Sequence, residues 1–75
     1  MVRLVPVSSK KMIKILKKLG FEEVHRKGSH CFFLHPITRK TTTIPYHGNE
    51  DISIGLLKDI LRDIEITLDE FEKIR

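Results

Sequence analysis

The sequence predicts an α+β domain in which helices cover one face of a three-stranded antiparallel sheet. Apolar residues recur with helical spacing near both ends of the chain, the period falls to two in the middle, and glycine or proline punctuates each change. A chain of 75 residues buries only about 60% of the surface it exposes when unfolded. One domain over residues 1–75 is therefore expected, with a thin core and a surface site; its length excludes nucleotide-binding and barrel enzymes with deep enclosed cavities.

Ser8 and Ser9 precede Met12, Ile13, Leu16 and Leu19, which form one apolar helical stripe, so a helix is predicted over about residues 9–19. Its other face carries Lys10, Lys11, Lys14, Lys17 and Lys18, and Gly20 stands where a left-handed residue closes a helix. From Phe21 the pattern alternates. Residues 21–27 and 29–35 read as two strands joined by a tight turn at Gly28, residues 36–40 as a second turn, and residues 41–44 as a third strand ended by Pro45. Short connections make this an antiparallel meander.

Beyond the loop at 46–51, Leu56, Leu57, Ile60, Leu61 and Ile64 restore the helical period and predict a helix over about 53–63. Thr67 and Glu70 have capping-box spacing, which predicts a short helix over 68–74 with Phe71 on the core. The order is α-β-β-β-α plus that short helix. Neither a lone hairpin nor a lone helix buries enough apolar surface, so both stripes must cover one sheet face and leave the other, with the loops, for function. Parity does not settle which face His30 takes, because Phe32 and Leu34 share its parity, Phe33 shares that of Cys31, and both sets are apolar.

No apolar run approaches the roughly 20 residues that span a bilayer, and none at the N-terminus has signal-peptide length. Cys31 is alone, which leaves no internal disulfide and suits a reducing compartment. A soluble, cytoplasmic protein is expected. The formal net charge is +4, and its distribution is uneven: residues 1–40 hold ten basic and two acidic residues, residues 41–75 four basic and eight acidic. Clustered lysine and arginine are the footprint of a protein that meets a phosphate backbone, although a lysine-rich helix face also arises merely as a solvated surface.

Phosphate-loop, dinucleotide-binding and zincin motifs are missing from the sequence. Among His25, His30, His35 and His47, the pair His30 and His35 lies on opposite faces of a strand, and no ligand set of metal-binding spacing is completed. No metal or cofactor is expected. The segment Arg26-Lys27-Gly28-Ser29-His30 differs in kind. It gathers two cations, a turn glycine, a hydroxyl and an imidazole at a hairpin edge, a combination suited to a phosphodiester. An incidental strand histidine beside basic residues is the plain alternative.

Leu19-Gly20-Phe21, the run Arg26 to His30 with Phe32 and Phe33, Thr43-Ile44-Pro45 with His47, Ile52 with Gly55, Leu57, Ile60 and Leu61, and Leu68 with Phe71 together resemble the HicA toxins of toxin-antitoxin pairs. The resemblance spans nearly the whole chain, and its specificity lies in the order and spacing of the blocks. It implies a fold like the double-stranded RNA-binding domain, cleavage of mRNA without a metal, and neutralisation by a HicB-type antitoxin. It also implies that His30 is catalytic, with Gly28 and Ser29 beside it, and that His47 is a candidate second proton-transfer group. Glu65 stands where the family usually has glycine, so a left-handed helix cap there must be made by a residue with a Cβ; Leu56 replaces a small hydroxyl residue.

On this reading Arg26 and Lys27 neutralise charge at the scissile phosphate, while Lys10, Lys11 and Lys14 hold the flanking RNA backbone. A non-catalytic RNA-binding module of the same fold is the alternative, since fold alone does not decide between binding and cleavage.

Overall fold

The computed structural model describes residues 5–46 and 50–75. Its elements are β1 (Val7–Ser8), α1 (Ser9–Lys18), β2 (Glu22–Lys27), β3 (His30–Leu34), β4 (Thr41–Pro45), β5 (Asp51–Ile52), α2 (Ile54–Asp63) and α3 (Leu68–Ile74). The antiparallel sheet has the order β2-β3-β4, as the alternating middle of the sequence predicts. A second, two-stranded ribbon pairs Val7 with Ile52 and Ser8 with Asp51. Two-residue strands carry no period, so this ribbon has no signal in the sequence. It nevertheless ties the start of α1 to the start of α2, and the Ser9 N–H donates to the Glu50 carbonyl at 3.1 Å.

Serine and threonine hydroxyls start each helix by accepting an otherwise unpaired backbone N–H: Ser8 from Lys11, Ser53 from Leu56 and Thr67 from Glu70. Thr67 and Glu70 complete the reciprocal capping box. The first helix closes through Gly20 at φ +98°, with the Phe21 N–H donating to the Leu16 carbonyl and the Gly20 N–H to that of Lys17. Glycine is needed there twice over. An added Cβ would come within 2.8 Å of His35 Nε2 as well as occupying a left-handed backbone.

The end of α2 repeats this closure with Glu65 at φ +55°, the Ile66 N–H donating to the Leu61 carbonyl and the Glu65 N–H to that of Arg62. A Cβ in that region costs roughly 1–2 kcal/mol. Glu65→Gly removes the strain, forfeits an exposed contact with Lys40 at 3.6 Å and adds chain entropy to the unfolded state. The net expectation is a gain of about 0.5 kcal/mol in stability. A urea midpoint that fell instead would show that the Lys40 contact outweighs the strain.

One layer of helices covers one sheet face. Met12, Ile15 and Leu16 of α1, Leu57, Ile60 and Leu61 of α2, and Phe71 of α3 bury against Cys31, Phe33 and Ile44. Thr42, also turned inward, donates its hydroxyl to Asp63 Oδ2 at 3.1 Å, which ties β4 to the end of α2. His30, Thr41, Thr43 and Pro45, with Phe32 and Leu34, occupy the other, open face and are exposed or half-buried. This resolves the parity ambiguity: Cys31 and Phe33 face the helices, so His30 does not.

Candidate nucleic-acid interface

The turn between β2 and β3 has only two residues, Gly28 and Ser29, with Lys27 paired directly to His30. Gly28 adopts φ +60°, as the first central residue of a tight hairpin turn requires. An added Cβ would meet nothing within 4 Å, so the need for glycine is one of backbone conformation. The Tyr46 N–H donates to the Ser29 carbonyl and holds the turn against the end of β4.

Register across the hairpin shifts between Glu23 and His25, which leaves Val24 as an extra residue on β2. Such a bulge reverses the facing of everything beyond it. Without it, Arg26 would lie opposite His30 on the open face, and His25 would point to the helices. With it, Arg26 pairs with the inward-facing Cys31, while His25 pairs with Phe32 and Lys27 with His30 on the open face.

The run from Arg26 to His30 is therefore divided. Lys27 and His30 are exposed cross-strand neighbours, a pairing in which Cβ atoms lie about 4.5–5.5 Å apart. Arg26 turns to the other side of β2. Its Nε donates to Glu23 Oε2 at 3.2 Å, and its guanidinium carbon sits 5.2 Å from the centre of the Tyr46 ring. The hydrogen bond it donates to Glu23 is the main reason that this guanidinium is held more firmly protonated than usual.

On that side, α1 and β2 enclose a groove of about 270 Å³ lined by Lys10, Ile13, Lys14, Lys17, Glu23, Arg26 and Tyr46. Its only carboxylate is held by Arg26, so four cations face one partly neutralised anion. A second groove of about 270 Å³, lined by Ser8, Lys10, Lys11 and Lys14, adjoins it across the Lys10–Lys14 ridge. Lys17 belongs to the first groove although the sequence reading places it on the lysine face of the helix without counting it among the residues that hold RNA. Its spacing of i+7 from Lys10 and i+3 from Lys14 would have signalled this. Tyr46 had no such signal, because its place depends on the end of β4 meeting the hairpin turn.

The remaining histidines separate cleanly. His35 is structural: its Nδ1 accepts the backbone N–H groups of Ile37 and Thr38, each at 3.2 Å, and its ring stands edge-on to Phe21 with centroids 5.1 Å apart. His25 leans on Phe32, with ring centroids 5.5 Å apart. His47 lies outside the described residues. Among the described residues, no three His, Cys, Asp or Glu side chains are grouped so as to hold a metal ion. Among the described residues, no helix is long and apolar enough to cross a membrane.

The arrangement offers an exposed imidazole beside an ammonium on one side of an edge strand, and a cationic groove on the other. A search of curated proteins finds no match to the chain. Residues 9–66 match the family model described as the HicA toxin of bacterial toxin-antitoxin.

Proposed function

The chain belongs to the HicA toxin family of bacterial toxin-antitoxin pairs, and from that premise we propose that it is a metal-independent endoribonuclease that cleaves mRNA, with His30 in proton transfer. The observation that carries the reading is the exposed Lys27–His30 pair at the tight turn of a basic sheet edge.

RNA contains its own nucleophile, the 2′-hydroxyl, so cleavage needs a proton acceptor, a proton donor and positive charge at the phosphate. His30 serves the first need or the second. The Lys27 ammonium answers the charge that develops on the phosphate, while the backbone of Gly28 and the hydroxyl of Ser29 orient it. Arg26, directed into the groove, serves binding with Lys10, Lys14 and Lys17, and Lys11 extends the contact over the start of α1. An RNA strand lying in the groove rounds the β2 edge at Gly28 and Ser29 to bring its scissile phosphate to His30. His47 stays a candidate second proton-transfer group on the strength of the family resemblance alone.

The partner that restrains this activity is a HicB-type antitoxin, and the pair acts in the cytoplasm. An acidic segment laid over the turn and the lysine groove would compete directly with RNA. No cofactor enters the reaction.

The test is incubation of the purified protein with a long single-stranded RNA in EDTA. Cleavage supports the reading, whereas intact RNA with a salt-sensitive mobility shift converts it to the non-catalytic RNA-binding module. The groove makes a separate prediction. Replacing Lys10, Lys14 and Lys17 together by glutamine removes three phosphate contacts, so the slope of log affinity against log salt should shrink by about 2. An unchanged slope places the RNA elsewhere.

A further inference from the structure

We propose that His25 is the second proton-transfer residue of the site, working across the scissile phosphate from His30; this rests on the ribonuclease reading above. The bulge at Val24 is what brings His25 to the open face. His25 lies opposite Phe32, and His30 lies two residues before Phe32 on the same face, so the two histidines are diagonal neighbours. Such neighbours stand about 7–8 Å apart. Both are exposed, and Lys27, directly opposite His30, shares their face.

This spacing suits the chemistry. The 2′-oxygen attacks phosphorus as the bond to the 5′-oxygen breaks, and in-line displacement puts the attacking and leaving oxygens on opposite sides of phosphorus. One imidazole takes the 2′-hydroxyl proton and the other, protonated, gives one to the departing 5′-oxygen. The products are a 2′,3′-cyclic phosphate and a 5′-hydroxyl, and proton exchange with water restores both imidazoles. Nothing else is consumed. Two imidazoles in contact could not straddle the phosphate, whereas two set a diagonal apart can, with Lys27 supplying positive charge to the pentavalent centre.

Both histidine residues are exposed. Phe32 provides a wall for the His25 ring, tilted at 37° to it, without hydrogen-bonding either nitrogen. Among the described residues, the ionisable groups sharing that face are Glu22 and Lys27 on β2 and His30 on β3; the β4 residues there, Thr41, Thr43 and Pro45, carry no charge, and the helices lie on the opposite face.

The experiment compares pH–rate profiles of RNA cleavage in EDTA for the wild type and for His25→Gln, His25→Phe, His30→Gln and His47→Gln, each checked by circular dichroism. The wild type should give a bell. His25→Gln should lose about 10²-fold or more in rate together with one limb of the bell, and His30→Gln the other limb. His25→Phe keeps the stacking on Phe32 and should be as impaired as His25→Gln. The proposal is overturned if His25→Gln stays within about threefold of wild type with both limbs intact, if His25→Phe retains full activity, or if His47→Gln is the variant that loses a limb. A wild type that does not cleave RNA overturns the ribonuclease reading itself, whereas cleavage that needs His30 but ignores His25 removes this proposal alone.

Discussion

On the proposed ribonuclease reading, replacing His30 by alanine should lower the rate of RNA cleavage by a factor of about 10²–10⁴, the usual loss when a proton-transfer group is removed. The fold should survive the change. His30 is exposed on the open sheet face, its strand is held by backbone pairing to Lys27 and Pro45, and the core lies behind the sheet among Cys31, Phe33 and Ile44. RNA affinity should survive as well, because the cations of the α1–β2 groove are on the other side of β2. Turnover lost with affinity kept is the signature of an interaction made in the transition state. His30→Gln sharpens the test, since it keeps hydrogen-bonding ability and cannot shuttle a proton at neutral pH. The measurement is a denaturing gel of RNA incubated with each protein, paired with binding on a native gel. Full cleavage by His30→Ala would remove His30 from the chemistry.

Phe33→Ala is the substitution with the largest expected effect on stability. The side chain is 1% exposed, packed between the sheet and the helices. Truncating a buried phenylalanine costs about 3–5 kcal/mol through lost apolar contact and the cavity left behind. A chain of 75 residues is stable by roughly 4–11 kcal/mol in all, so this one change approaches the whole margin. Phe32→Ala deletes the same group one residue earlier, but on the open face, where the ring is only half-buried. A cost nearer 1 kcal/mol is expected there. Urea midpoints followed by circular dichroism separate the two variants, and equal losses would contradict the facing of β3.

Much of the architecture was legible because local chemistry and long-range packing agree. The lysine-backed stripe of α1, the Gly28 turn and the Thr67–Glu70 capping box each specify a local geometry that the fold then uses. Even Glu65 was legible as an anomaly, a residue with a Cβ where the chain turns left-handed at φ +55°. The bases of the candidate site could also be listed, since Arg26, Lys27 and His30 are neighbours in sequence.

Their grouping could not be read, because a strand's facing depends on its register. Alternation from Phe21 has period two only while every residue has one partner, and the bulge at Val24 breaks that count without any glycine or proline to announce it. So Arg26 left His30 for the α1 groove, and His25, weighed from the sequence only as a metal ligand, joined the open face. The composition and periods of the chain determined an α+β fold with a basic half and an imidazole at a hairpin edge. Which cations face that imidazole was decided by the pairing of β2 with β3 and by the packing of α1 beside it, because a side chain's direction in a sheet is set by its partner across the ladder and not by its neighbours in the chain.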